Sequence, residues 1–208
     1  MKTPSDSTFD CEEMQERFTT LEKFLDGYRN EISKVREIQA SLLPEFSNIE
    51  EFDIASIFLP AEDISGDFID AFPITDDIFQ IIICDISGHG LASSFIGNEF
   101  RTAIRLLSKD NKEPNEILQL LNDDVSKDLK NLYYFGTLII LQVNLKTGLV
   151  TLSSAGHPPA MLYKQSEKEL DLLKTNGRLV GLFEGNTYTQ HEFTMNKDDM
   201  LLLYTDGV

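Results

Sequence analysis

"IFQIIICDISGHGLASS" (residues 78–94) runs from a buried strand through a turn into a helix. Its first half is almost wholly apolar and rich in β-branched isoleucine, the composition of a strand with little exposure to water. Asp85 then leaves that strand, and the turn after it contains Gly88, His89 and Gly90 before the helix-like "LASSFIGNEFRTAIRLLS" begins. A plain turn needs neither a carboxylate at its mouth nor two glycines. Two further carboxylate–glycine pairs stand at strand-like boundaries, in "GDFID" (residues 66–70) and "YTDGV" (residues 204–208).

Working outward, strands are predicted at 52–59, 67–72, 78–85, 137–144, 149–154, 159–164, 188–194 and 200–204, and helices at 90–108 and 114–130. "NLKTG" between two of the strands reads as a hairpin turn. Strands, then a helix pair, then a meander argue for antiparallel sheets with helices packed outside them. Upstream, Cys11, Met14, Phe18, Leu21, Leu25, Tyr28, Ile32, Val35, Gln39 and Leu42 alternate in steps of three and four. That is the seam of a coiled coil, and it predicts a dimerising helix over 11–42; an amphipathic helix packed on its own domain is the plainer alternative. Pro44 ends it, giving an N-terminal helical segment 1–43 and a domain 44–208.

The chain of 208 residues is 41% hydrophobic, enough for one core plus an extension. With 18 basic against 35 acidic residues its net charge is −17, which repels a phosphate backbone and argues against nucleic acid. No apolar run is long enough to span a membrane, and the acidic start is unlike a signal peptide. Cys11 and Cys84 read as small apolar fillers, and a cytoplasmic protein is the simplest reading. A zinc site from Cys84 and His89 lacks partners at a usable spacing.

Asp67, Asp85 and Asp206 gather the chemistry. Carboxylates at converging strand ends repel one another unless a cation neutralises them, and hard divalent ions take oxygen ligands. Any one Asp-Gly pair alone is a turn former; three at strand ends argue for a site. "GHGLAS" lacks the third glycine and the βαβ context of a dinucleotide turn. A kinase-like ATP site would need further phosphate loops, and no nucleophile elbow occurs.

"VREIQASLLP", "DISGDFID", "IIICDISGHGLASS", "FGTLIILQVNLKTGLVTLSSAGHPPAML" and "LLLYTDGV", in this order over residues 35–208, resemble the SpoIIE/RsbU-type branch of the PPM serine/threonine protein phosphatases. The resemblance implies an α+β fold: an α/β-β/α sandwich of two mainly antiparallel sheets with flanking helices. It implies a manganese or magnesium pair between the sheets, and hydrolysis of phosphoserine or phosphothreonine on an anti-anti-sigma-like protein. Matched by position, Asp85 bridges the ions, Ile86 offers a backbone carbonyl, Asp67 lies near the reacting water and Asp206 is a ligand of the first ion. Asp70, His89 and His157 are candidates for supporting these ligands or contacting substrate. For His89 the plainer role is capping the turn, and for His157, before two prolines, fixing a loop; His191 is expected simply to be exposed. The resemblance also leads one to expect a helix and a strand with another metal-binding aspartate after "TDGV". On that expectation this is a C-terminally shortened form, natural or cut, with its second ion weakly held. A catalytically silent binding module is therefore the alternative to an active enzyme.

Overall fold

The structure, a computed structural model, describes residues 11–46, 49 and 52–207. It resolves into two compact units, Met1–Ser41 and Leu42–Val208. In the first, α1 (Cys11–Ser41) is a continuous helix. Its seam residues Met14, Phe18, Leu21, Leu25 and Tyr28 are all exposed. The expected seam member Cys11 has its side chain outside the described residues, as do residues 1–10.

The second unit contains β1 (Phe68–Pro73), β2 (Ile78–Ile86), α2 (Leu91–Ser108), α3 (Pro114–Leu129), β3 (Gly136–Asn144), β4 (Leu149–Ala155), β5 (Ala160–Lys164), β6 (Glu169–Leu173), β7 (Gln190–Thr194) and β8 (Met200–Leu202). One sheet has the order β1-β2-β3-β4-β7 and the other β6-β5-β8, with every ladder antiparallel. Two helices on a sheet and a second sheet on its other face make the layered α+β architecture that the strand and helix pattern predicts.

The apolar run of β2 has its explanation in these layers. Ile82, Cys84 and Ile86 face the helices, packed with Ile96, Phe100 and Ile104 of α2 and Ile117, Leu118 and Leu121 of α3. Ile83 faces the other way, into a core shared by Ile139, Leu141, Val150 and Leu152 with Leu162 and Leu173 of the second sheet. A strand covered on both faces has no polar side to alternate with, and each fully buried Ile or Leu stabilises by roughly 2 kcal/mol. Close backbone contact seats α2 on the sheet: a Cβ on Gly97 would fall 2.8 Å from the Gly66 carbonyl oxygen. At the start of α3, Pro114 needs no N–H partner, and the Glu116 carboxylate accepts from the Glu113 backbone N–H at 3.1 Å.

Two strand assignments differ from expectation. Residues 52–59 form no strand: they have no ladder partner among the described residues, and Ile57 and Leu59 are 82% and 85% exposed. Their alternation breaks at Ile57-Phe58-Leu59, so no single face could be buried. Conversely, β6 was not expected, because "ELDLL" has neither β-branched nor aromatic residues. Its pairing with β5 makes it a strand, through a turn in which Lys168 adopts φ 57° and its N–H bonds the Lys164 carbonyl at 2.8 Å.

Candidate metal centre

β1 and β2 carry the first two carboxylates. Phe68 pairs with Cys84, so Asp67, one residue earlier, lies beside Asp85, one residue later. Alternation puts both on the face of Ile69 and Ile83, between the two sheets. There the Asp67 and Asp85 carboxyls share a hydrogen bond. Burial is the main cause that pushes Asp85 up to about 6, with the charges of Asp67 and Asp206 adding to it. Burial likewise raises Asp67, a hydrogen bond from Thr205 works against it, and Asp206 raises it further. Asp206, exposed beyond β8, is thus close enough to be felt by both.

The turn explains its glycines. Gly88 and Gly90 have φ of 84° and 81°, a region that side chains disfavour. Gly90 is the N-cap of α2, and its carbonyl accepts the first helical bond from the Ser94 N–H at 3.1 Å. His89 between them points outward, its Nδ1 3.1 Å from Glu62 Oε2, both side chains exposed. Ile86 ends β2 against Gly66, where a Cβ would lie 3.0 Å from the Ile86 carbonyl oxygen. Glycine there lets the Asp67 segment approach Ile86 directly.

His157 is buried, and both ring nitrogens are engaged: Nδ1 with Thr137 Oγ1 at 2.7 Å and Nε2 with the Tyr204 carbonyl at 3.0 Å. Burial is the largest influence on its pKa and lowers it. Asp70 does not join the cluster. It shares the face of Phe68 and Phe72, toward the helices, where Arg101 and Arg105 of α2 clamp it. His191 lies exposed on β7, opposite Leu152. Thr137, Thr205 and the two arginines went unnoticed in the sequence because single threonines and arginines carry no pattern. The Asp70–arginine spacing across two elements exists only in the fold.

The donor set suits a hard divalent cation. Three carboxylates and a backbone carbonyl are all oxygen, and beyond burial the charges of Asp67 and Asp206 both raise Asp85, because positive charge is what the site lacks. Among the described residues, however, no three His, Cys, Asp or Glu side chains are drawn together into a closed ligand set. The two facts agree, since Asp67 and Asp85 are in contact while Asp206 acts on them through its charge, which reaches beyond coordination distance.

The family model of Stage II sporulation protein E (SpoIIE) matches residues 75–208. Protein IcfG of Synechocystis sp. is 28% identical over 207 aligned residues, covering 86% of this chain and 32% of that protein. Phosphoserine phosphatase RsbU of Bacillus subtilis is 27% identical over 190 residues, covering 91% of this chain and 56% of that protein. The chain thus spans from about a third to just over half the length of these relatives. Among solved structures, the SiaA-PP2C domain of Pseudomonas aeruginosa superposes with a TM-score of 0.71 at 18% identity, over 85% of this chain and 71% of that one. Fold, strand-end carboxylates and family match agree: the chain belongs to the SpoIIE family, with a PP2C-type fold.

Proposed function

We propose that this chain is a metal-dependent phosphatase that removes phosphate from phosphoserine or phosphothreonine of a protein, an anti-anti-sigma-like partner in a partner-switching pathway. The observation that carries the reading is the Asp67–Asp85 pair, two carboxylates set side by side at strand ends with Asp206 within electrostatic reach. The name of the relative RsbU, a phosphoserine phosphatase, supports the substrate class. Asp85, Asp67, Asp206 and the Ile86 carbonyl would hold manganese or magnesium. When bound, the ions acidify water and neutralise charge on the phosphoryl oxygens. The protein's own part is to set Asp67 and Asp85 side by side facing the gap between the sheets, with Thr205 hydrogen-bonded to Asp67.

The exposure of Asp206 favours the rival, a domain that binds a phosphoprotein without hydrolysing it. Phosphate release from a phosphoserine peptide separates the two. Turnover that needs manganese and stops with chelator is expected; manganese uptake without turnover leaves the silent module.

The chain also carries its own means of pairing. Met14, Phe18, Leu21, Leu25 and Tyr28 lie exposed along α1 at coiled-coil spacing, which supports a homodimer through residues 11–42. Leu25→Glu would set two carboxylates against each other in that seam, at a cost of several kcal/mol. Sedimentation is expected to show the parent as a dimer and the variant as a monomer with unchanged circular dichroism of the phosphatase domain. A variant that stays dimeric removes the helix from the interface.

A further inference from the structure

Residues 203–207 carry Asp206 but have no ladder to hold them. β8 ends at Leu202, paired with Met161; Leu203 still packs against the core between the sheets, and no described residue after it joins a ladder. Past Leu203, a hydrogen bond between Thr205 and Asp67 and the bond from His157 to the Tyr204 carbonyl hold this segment. The histidine is itself rigidly presented. Gly156 before it has φ 66°, and a Cβ there would lie 3.1 Å from the Leu179 nitrogen. After it come Pro158 and Pro159, whose rings fix the backbone.

The imidazole is 8% exposed and fully committed. A carbonyl oxygen can only accept, so Nε2–H donates to Tyr204, and Nδ1 of the neutral ring accepts from the Thr137 hydroxyl. Thr137 pairs with Asp85 across β2 and β3, so the two side chains stand on one face of the sheet. An unbroken path leads from the strand position opposite Asp85, through Thr137 and His157, to the backbone two residues before Asp206.

We infer that His157 is a positioning residue: through the Tyr204 carbonyl it sets how far Asp206 stands from Asp85 and Asp67, and so how well a divalent cation is held among them. This rests on the phosphatase reading of the site. Asp206 is exposed, and neither sheet fixes it. Its placement therefore depends on the backbone tether, and preorganisation lost there has to be made good when the ion binds.

The test uses manganese alone, titrated calorimetrically into the whole chain, with kcat and KM on a phosphoserine peptide alongside. His157→Leu is expected to weaken manganese about tenfold and lower kcat while KM stays within about twofold, the scale seen when outer partners of metal ligands are lost. His157→Gln, whose amide N–H can reach the Tyr204 carbonyl, is expected to recover affinity to within about threefold of the parent. A folded His157→Leu protein with the parent's manganese affinity overturns the inference, as does a Gln variant no better than Leu. If His157→Leu fails to fold, Thr137→Val against Thr137→Ser decides it: equal affinities overturn the role, and a loss confined to Val supports it. A parent that takes up no manganese sinks the phosphatase reading and this inference together. A parent that binds while every variant binds equally sinks the inference alone.

Discussion

Asp85→Asn is expected to lower manganese affinity and peptide turnover by on the order of 100-fold or more, since losing even an outer partner of a metal ligand costs about 10- to 100-fold. The same change should leave the fold intact or firmer. Asp85 is pushed up to about 6, first by burial and then by Asp67 and Asp206, against an ordinary value of 3.8. A folded-state pKa above the unfolded one means that the folded protein holds the extra proton between about pH 4 and 6. Stability contributed by that proton is present below about pH 4 and lost as pH rises through about 6. Asn cannot ionise, so the metal-free variant escapes this loss, which solvent screening reduces to about 1 kcal/mol for a half-buried group. Metal uptake has the matching dependence: below about pH 6 an ion must displace that proton, and apparent affinity should fall by up to about tenfold per pH unit. Calorimetry at several pH values, with melts of metal-free parent and variant, reads all three effects. Equal manganese affinity in parent and variant would remove Asp85 from the centre.

Asp70→Ala is expected to have the opposite profile, a large loss of stability with little change at the metal centre. Asp70 is fully buried, with Arg105 Nε and Nη2 at 2.6 and 2.7 Å and Arg101 Nε at 3.1 Å. Arg105 also stacks over the Phe72 ring at 4.5 Å, and Arg101 donates to the Leu42 carbonyl at 3.5 Å. Removing the carboxylate strands Arg101, whose side chain is 15% exposed. Breaking a buried pair from one side costs about 3–5 kcal/mol; with Arg105 40% exposed and able to reach water, about 3 kcal/mol is expected. For a domain of this size that is a drop in Tm of roughly 6–12 °C. Manganese affinity of the folded fraction should stay within about threefold, because Asp70 points away from Asp67 and Asp85. An unchanged melting temperature would show that the arginines find water as easily as they find Asp70. A collapse of metal affinity would mean that the clamp sets the position of Asp67 through β1.

What could be read from the order of residues alone was whatever has a local physical cause. The continuous apolar run of β2 announced a strand covered on both sides. The three-and-four spacing of Met14 to Tyr28 announced a long helix with one apolar seam. Asp85 followed by Gly88 and Gly90 announced a carboxylate at a turn needing positive φ, and both glycines have it. Strand ends with Asp-Gly pairs were enough to nominate Asp67, Asp85 and Asp206.

Only the tertiary structure decided what each polar residue faces. Asp67 and Asp70 stand in one short motif, yet strand alternation turns them to opposite faces, one into the gap between the sheets and one onto two arginines of α2. His157, before two prolines, reads in the sequence as a histidine that fixes a loop; only the fold engages both its nitrogens, one of them on the backbone leading to Asp206. Residues 52–59 have strand-like composition and β6 does not, and the outcome was reversed because a strand exists by its partner. Ladders and ion pairs join residues far apart in the chain, and no local pattern encodes which of them will meet.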